Sequence, residues 1–190
     1  LFWETEPEDW EVFFKVNLYG VMNCCRAATP NMVKNGYGRI ITIVSDAGRV
    51  GEIRMADYAA AKAGAAGFTR ALSKDLGRYG VTANAIAPAA RTRMTEGVFS
   101  EMMAEVEEGA FDAMDPANVS PLVAWLVSVG SAGVTGRMFE VEGGSVGIAD
   151  GWQHGPTADK GARWEAAELG EVVRRLAAEA PRPAPVYGAG

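Results

Sequence analysis

The sequence predicts an α/β protein built on a parallel sheet with right-handed crossovers, and three segments carry that reading. Residues 39–44 of Gly38-Arg-Ile-Ile-Thr-Ile-Val-Ser45 form a continuous, mostly β-branched run, the pattern of a strand buried on both faces. Val81-Thr-Ala-Asn-Ala-Ile-Ala87 is a second such run, stopping at Pro88. Met138-Phe-Glu-Val-Glu142 is a third, preceded by Val134-Thr-Gly136 and closed by Gly143-Gly144. Helical text separates the three runs, and strand, helix, strand, helix, strand is the signature of a parallel α/β sheet.

The helices follow from caps and periodicity. Thr5-Glu-Pro-Glu8 fits a capping box with Thr5 as N-cap, Pro7 in the first turn and Glu8 at the third helical position. Trp10, Phe13, Phe14, Val16, Leu18, Val21 and Met22 then supply an apolar face that leads past Asn17. A second helix spans about Ala56 to Arg78 and is crowded with alanine and glycine, including Gly64 and Gly67. Glycine within a helix costs ~1 kcal/mol against alanine, so close packing must offset it. Tight packing onto the chain's own sheet would supply it. Residues 96–114 are acidic and methionine-rich, with Val98, Phe99, Met102, Met103, Val106, Phe111 and Met114. Methionine adapts to irregular apolar ligands, which suits a greasy one, and the alternative is an amphipathic helix pair packed on the core. Asp115-Pro-Ala-Asn-Val119 caps a further helix through about Ser128.

From residue 150 the composition changes. Gly151-Trp152-Gln-His-Gly-Pro156 is a turn-rich linker, and Glu165 to Glu179 places Leu169, Val172, Val173 and Leu176 at helical spacing. Pro181-Arg-Pro-Ala-Pro185 closes as an extended, polyproline-like segment. Residues 150–190 thus read as a linker, a helix and a proline-rich end following residues 1–149, either a docking arm across a subunit interface or a half-ordered surface tail.

Tyr58-Ala-Ala-Ala-Lys62 is the pattern with the most chemistry. Residues four apart share a helix face, so the phenol and the ammonium point into one region. An ammonium beside a phenol favours its ionised form, which suits a general acid or base. Ser45 stands thirteen positions before the tyrosine, at the carboxyl end of the first strand, where ligands bind in open α/β sheets. Asn17 stands twenty-eight positions before Ser45.

Taken together, Asn17-Leu-Tyr-Gly20, Ser45, Tyr58-x-x-x-Lys62, Asn84-Ala-Ile-Ala-Pro88, Thr92-Arg-Met94-Thr95 and Thr135-Gly136 with Gly143-Gly144 resemble the catalytic half of a short-chain dehydrogenase/reductase. The resemblance covers roughly residues 1–148. It implies a Rossmann-like, doubly wound parallel sheet and an NAD(P)-dependent enzyme that interconverts a secondary alcohol and a ketone. Tyr58 would be the acid/base, and Lys62 would favour its phenolate and hold the nicotinamide ribose hydroxyls. Ser45 would orient the substrate oxygen, and Asn17 would anchor a water leading to Lys62. Pro88, Ala89 and Thr92 would lie along the cofactor, either NAD or NADP, with NAD preferred. The family usually has glycine after the proline, so Ala89 shifts that contact.

The same resemblance exposes a gap. Residues 1–190 hold no Gly-x-x-x-Gly-x-Gly loop and no Asn-Asn-Ala-Gly strand end. The expectation is that the N-terminal nucleotide-binding half is missing, so that the chain is a fragment and inactive alone. The extension resembles the branch containing the dehydrogenase units of multifunctional β-oxidation enzymes and hydroxyacyl-CoA or hydroxysteroid dehydrogenases. A 3-hydroxyacyl-CoA or a steroid-like apolar molecule is the expected substrate. The alternatives are a 3-oxoacyl-carrier-protein reductase, or a non-catalytic half-domain acting only in oligomer or partner binding. The family resemblance also implies a homodimer or homotetramer built through the Tyr58 helix.

Composition sets outer limits. At 190 residues one domain with a genuine core is expected, and a net charge of −6 argues against a nucleic-acid surface. No apolar run approaches the ~18 residues of a membrane helix, so a cytoplasmic protein is expected. Cys24 and Cys25 read as buried small hydrophobes, and His154 as a surface histidine on a loop. No metal site is expected.

Overall fold

A computed structural model describes residues 1–96, 106–107, 109–149 and 153–181. A four-stranded sheet runs in the order β1 (Gly38–Ile43), β2 (Val81–Ala89), β3 (Met138–Glu142), β4 (Ser145–Ile148). The first three strands are parallel and β4 returns antiparallel to β3. Helices α1 (Pro7–Phe14) and α2 (Gly20–Asn35), joined by a π-helical segment over Lys15–Tyr19, precede β1. The short α3 (Ala47–Val50) and the long α4 (Ala56–Leu76) connect β1 to β2. The short α5 (Arg93–Glu96) and then α6 (Ser120–Val127) lie between β2 and β3, and α7 (Ala166–Glu179) ends the ordered elements.

Each face of the sheet is covered. On one side Ile40, Val81 and Ala83 pack with Cys25 of α2 and Leu76 of α4, while Val44, Ala85 and Ala87 pack with Ala65. On the other side Ile86, Phe139 and Val141 pack with Leu126 of α6. Helices on both faces force the apolar runs seen in the sequence, and β2 is buried at all seven residues from Val81 to Ala87.

The face of α4 toward the sheet is Ala61, Ala65, Thr69, Ser73 and Leu76, all buried at helical spacing. Thr69 Oγ1 bonds Thr42 Oγ1 of β1 at 2.8 Å and also donates to its own helix at the Ala65 carbonyl. Gly64 faces Leu18, whose Cδ2 would lie 3.2 Å from an added Cβ. Close packing within the chain thus accounts for one of the two helix glycines.

Several expectations need correction. The first strand is covered on both faces, by Ile40 toward α2 and α4 and by Ile41 toward α6, but its last residue Ile43 is 45% exposed at the outer edge of the sheet. Strand β2 does not stop at Pro88 but continues to Ala89 opposite Glu142. Pro88 has no N–H to carry the ladder to β1 further, and that ladder ends at Ile43 opposite Ile86, with Val44 N–H still donating to the Ile86 carbonyl at 2.8 Å. Gly143-Gly144 closes β3 as expected, and it does so as the turn of a β3–β4 hairpin, with Glu142 opposite Ser145 and Gly143 at φ +53°.

The N-cap of α1 is Glu6 rather than Thr5, with the Glu6 N–H donating to Asp9 Oδ2 at 3.1 Å. The Thr5 hydroxyl is engaged elsewhere, donating to the Phe2 carbonyl at 2.7 Å and accepting from Trp10 Nε1 at 2.8 Å. Of the two cysteines only Cys25 is buried, since neighbours on a helix point about 100° apart. Val98, Phe99, Met102 and Met103 lie outside the described residues, as does the proline-rich stretch after Pro181.

Candidate active site

Lys62 links the elements that converge at the carboxyl end of β1. Its Nζ donates to the Ile43 carbonyl at 3.0 Å, two residues before Ser45. The same Nζ stands 5.7 Å from the centroid of the Tyr58 ring, within the range of a cation–π contact. Burial pushes the Lys62 ammonium below the usual lysine range. Tyr58, one turn earlier on α4, is half-buried, and Phe13 of α1 meets its ring edge-on at 6.3 Å with an interplanar angle of 76°. The phenol is therefore held between an aromatic edge and a cation.

Ser45 follows the strand directly. Its Oγ accepts the Ala47 N–H at 3.2 Å and its carbonyl accepts the Gly48 N–H at 3.0 Å. The hydroxyl proton remains available for donation. Gly48 then touches α4: a Cβ there would sit 2.7 Å from the Ala63 nitrogen and 3.0 Å from the Lys62 carbonyl carbon. Only glycine permits this approach, which brings the serine turn against the backbone of Lys62.

Asn17 occupies the middle of the π-helical segment Lys15–Tyr19, which lies against α4. Single π turns widen a helix and are frequent at functional sites. Pro88 and Ala89 end β2, half-buried, and Thr92 follows as the exposed cap of α5. Thr92 Oγ1 accepts the N–H groups of Met94 and Thr95 at 3.3 Å, while its own N–H donates to Thr95 Oγ1 at 2.7 Å. Ser45, Tyr58 and Lys62 are thus gathered through α4 and the end of β1, with Asn17 on the adjoining turn. Pro88, Ala89 and Thr92 lie one strand further along the same end of the sheet.

A groove of 450 Å³ lined by Pro7, Trp10, Glu11, Phe14, Lys15 and Tyr19 includes none of these residues. Among the described residues no three His, Cys, Asp or Glu side chains group to hold a metal, and no helix is long and apolar enough to cross a membrane. His154 is exposed on a loop.

The order and spacing of these elements are those of a known family. The protein family described as Enoyl-(Acyl carrier protein) reductase matches residues 1–146. The chain belongs to the short-chain dehydrogenase/reductase family. It is 35% identical over 184 residues to a hydroxyacyl-CoA dehydrogenase of Mycobacterium tuberculosis, covering 92% of this chain and 57% of that protein. A solved structure of a short chain dehydrogenase from Mycobacterium avium superposes with a TM-score of 0.83 at 48% identity, covering 98% of this chain and 62% of that one. A 3-oxoacyl-[acyl-carrier protein] reductase with bound NAD from Brucella melitensis gives a TM-score of 0.60 at 34% identity, covering 75% of this chain and 53% of that one. The chain spans about half to three-fifths of the length of these relatives.

The sequence reading missed one polar group beside the site. Arg49 joins Asp46, the residue after Ser45, to Glu140 on β3. Asp46 and Arg49 are three positions apart, but Glu140 lies 91 positions beyond Arg49, so the bridge to β3 leaves no local signal. The strand pattern of β3 could have raised the question, because Glu140 puts a half-buried carboxylate between the buried Phe139 and Val141.

Proposed function

We propose that residues 1–149 form the catalytic part of an NAD(P)-dependent oxidoreductase that interconverts a secondary alcohol and a ketone on a 3-hydroxyacyl thioester. The observation that carries this reading is Lys62, a partly desolvated ammonium that touches both the Tyr58 ring and the strand end bearing Ser45. The donors at this end of the sheet fit the nicotinamide ribose of a dinucleotide: Lys62 could hold its hydroxyls, and Pro88, Ala89 and Thr92 lie beyond. They do not fit a pyrophosphate, since residues 1–190 hold no glycine-rich loop opening a helix. When bound, NAD(P) would supply or accept the hydride.

The chain's own residues would manage the oxygen. Negative charge builds on the substrate oxygen as the ketone is reduced, and fixed donors stabilise it. Ser45 donates a hydrogen bond to that oxygen and orients it, keeping its own proton. Tyr58 delivers the proton, or removes it in the oxidative direction. Lys62 stabilises the phenolate left behind, and Asn17 anchors a water through which the proton is restored toward Lys62.

The tail favours a hydroxyacyl-CoA over an acyl-carrier-protein substrate. The hydroxyacyl-CoA relative is similar over 92% of this chain, whereas the carrier-protein reductase covers 75%. The exposed side of α4 is small, with Ala60, Ala63, Gly67 and Ala71, which supports a homo-oligomer assembled through this helix. A cytoplasmic enzyme using NAD in preference to NADP completes the reading.

The test is kcat/KM of the full-length protein for short and long 3-hydroxyacyl-CoA thioesters and for the matching acyl-carrier-protein thioesters. Apolar burial contributes about 25 cal/mol per Å², so efficiency should rise with chain length and favour CoA. Equal efficiency across lengths, or a preference for small polyols, would defeat the substrate assignment.

A further inference from the structure

The turn bearing Ser45 is held from two sides, and only one of them is made of backbone. On the α4 side Gly48 rests against Lys62 and Ala63. On the sheet side the contact is charged. Arg49 Nε donates to Asp46 Oδ1 at 2.7 Å, and its Nη2 forms an ion pair with Glu140 Oε1 at 2.9 Å. The two bonds use different nitrogens of one planar guanidinium, a geometry that lysine cannot reproduce.

Glu140 lies on β3 opposite Ala87 of β2, on the face of the sheet toward α4. Burial, together with the neighbouring Asp46 carboxyl, raises its pKa above the ordinary glutamate range. Arg49 therefore bridges Asp46 and Glu140, which ties the residue after Ser45 to the third strand. The Asp46 carbonyl accepts the N–H groups of Arg49 and Val50 at 2.7 and 3.0 Å, so the anchored residue also starts the α3 turn.

The exposure of the group says what it is for. The side chains are 33%, 25% and 40% exposed for Arg49, Asp46 and Glu140. Ion pairs that remain this wet contribute little to global stability. They still fix local geometry, and a small misplacement of a group that orients substrate costs rate steeply.

We propose that Arg49 and Glu140 are positioning residues that hold the Ser45 turn against β3, so that the Ser45 hydroxyl is presented to the reacting oxygen. The proposal rests on the role given to Ser45 above. It adds two residues that touch neither substrate nor cofactor and act through Asp46. Glu140→Ala removes the strand anchor, Arg49→Lys removes the two-pronged bridge, and Glu140→Gln keeps an acceptor oxygen for Arg49.

The experiment uses the full-length protein and reads turnover, melting and amide exchange on each variant. Expected for Glu140→Ala and Arg49→Lys are a fall in kcat of about tenfold or more, an unchanged KM for the cofactor and a Tm near that of the parent. Glu140→Gln should recover most of the lost kcat. The double variant Arg49→Ala with Glu140→Ala should be no slower than either single one, because both break the same bridge. Amides of residues 48–51 should exchange faster in Glu140→Ala, while those of the β1–β2 ladder keep their protection.

Wild-type kcat in Glu140→Ala overturns the proposal, and so does a loss of Tm with faster exchange throughout the sheet. Should the parent fail to turn over hydroxyacyl thioesters, the functional reading falls by itself. The exchange at 48–51 then decides the anchor: local acceleration upholds it, and unchanged protection removes it.

Discussion

On the proposed reading, Lys62 serves chemistry at the expense of the fold. Its ammonium is partly desolvated, and burial is the first cause of its lowered pKa. A lysine whose folded pKa lies below its unfolded one binds fewer protons when folded, so stability rises as pH rises through that window. The penalty is complete below the folded pKa and gone above the unfolded value near ~10.4. Lys62→Met should therefore match or exceed the parent in Tm at neutral pH, with the difference shrinking as pH approaches 10.4. Thermal melts of both proteins from neutral to alkaline pH check it, and a mutant less stable at every pH would contradict it. Lys62 and Tyr58 were legible in the sequence because their spacing is local to one helix. The contact from Phe13 to the Tyr58 ring was not, since it crosses from α1 to α4.

At the scale of elements, buried polar side chains do the joining. Asn84 is 1% exposed; its Nδ2 donates to the Val134 carbonyl at 2.8 Å and its Oδ1 accepts the Arg137 N–H at 3.1 Å. It fastens β2 to the turn that launches β3, assisted by Thr135 Oγ1, which accepts the Ala83 N–H at 3.1 Å. Asn84→Ala would strand two backbone groups and should cost about 1–3 kcal/mol, measured by urea unfolding. A loss near zero would mean that water replaces the side chain. Gly80 makes a comparable demand, with φ at +72° and the Gly36 carbonyl oxygen 2.4 Å from where a Cβ would lie. Gly80→Ala should destabilise by about 1–3 kcal/mol or more, again by unfolding. Elements of strong periodicity were legible: β3 and α7 run very nearly where the residue pattern puts them. Boundaries set by competition were not. The Thr5 hydroxyl could cap α1 or bond Phe2 and Trp10, and nothing local says that it does the latter. The antiparallel β4 was hidden because Ser145-Val-Gly-Ile148 is too short and too rich in glycine to signal a strand.

The whole molecule presents an open side. Strand β1 is the outer strand, with Ile43 45% exposed, and Val12, Val16 and Tyr19 are exposed on the helices that precede it. An apolar parallel edge is a liability unless it is paired or covered. The chain also spans only 62% of its Mycobacterium avium neighbour. On the proposed reading the nucleotide half pairs along this edge, and residues 1–190 alone should bind NAD with a Kd on the order of millimolar or weaker. Isothermal titration giving a low-micromolar Kd for these residues alone would contradict that division of labour. The central claim, that Tyr58 moves the proton, is tested most directly by Tyr58→Phe in the full-length protein, which removes the phenolic oxygen and keeps the ring beside Phe13 and Lys62. General acid–base catalysis contributes ~10²–10⁴-fold, so kcat on a 3-hydroxyacyl-CoA should fall at least about a hundredfold with Tm and cofactor affinity unchanged. Turnover above about half the parent's rate, against that expectation, would contradict the account.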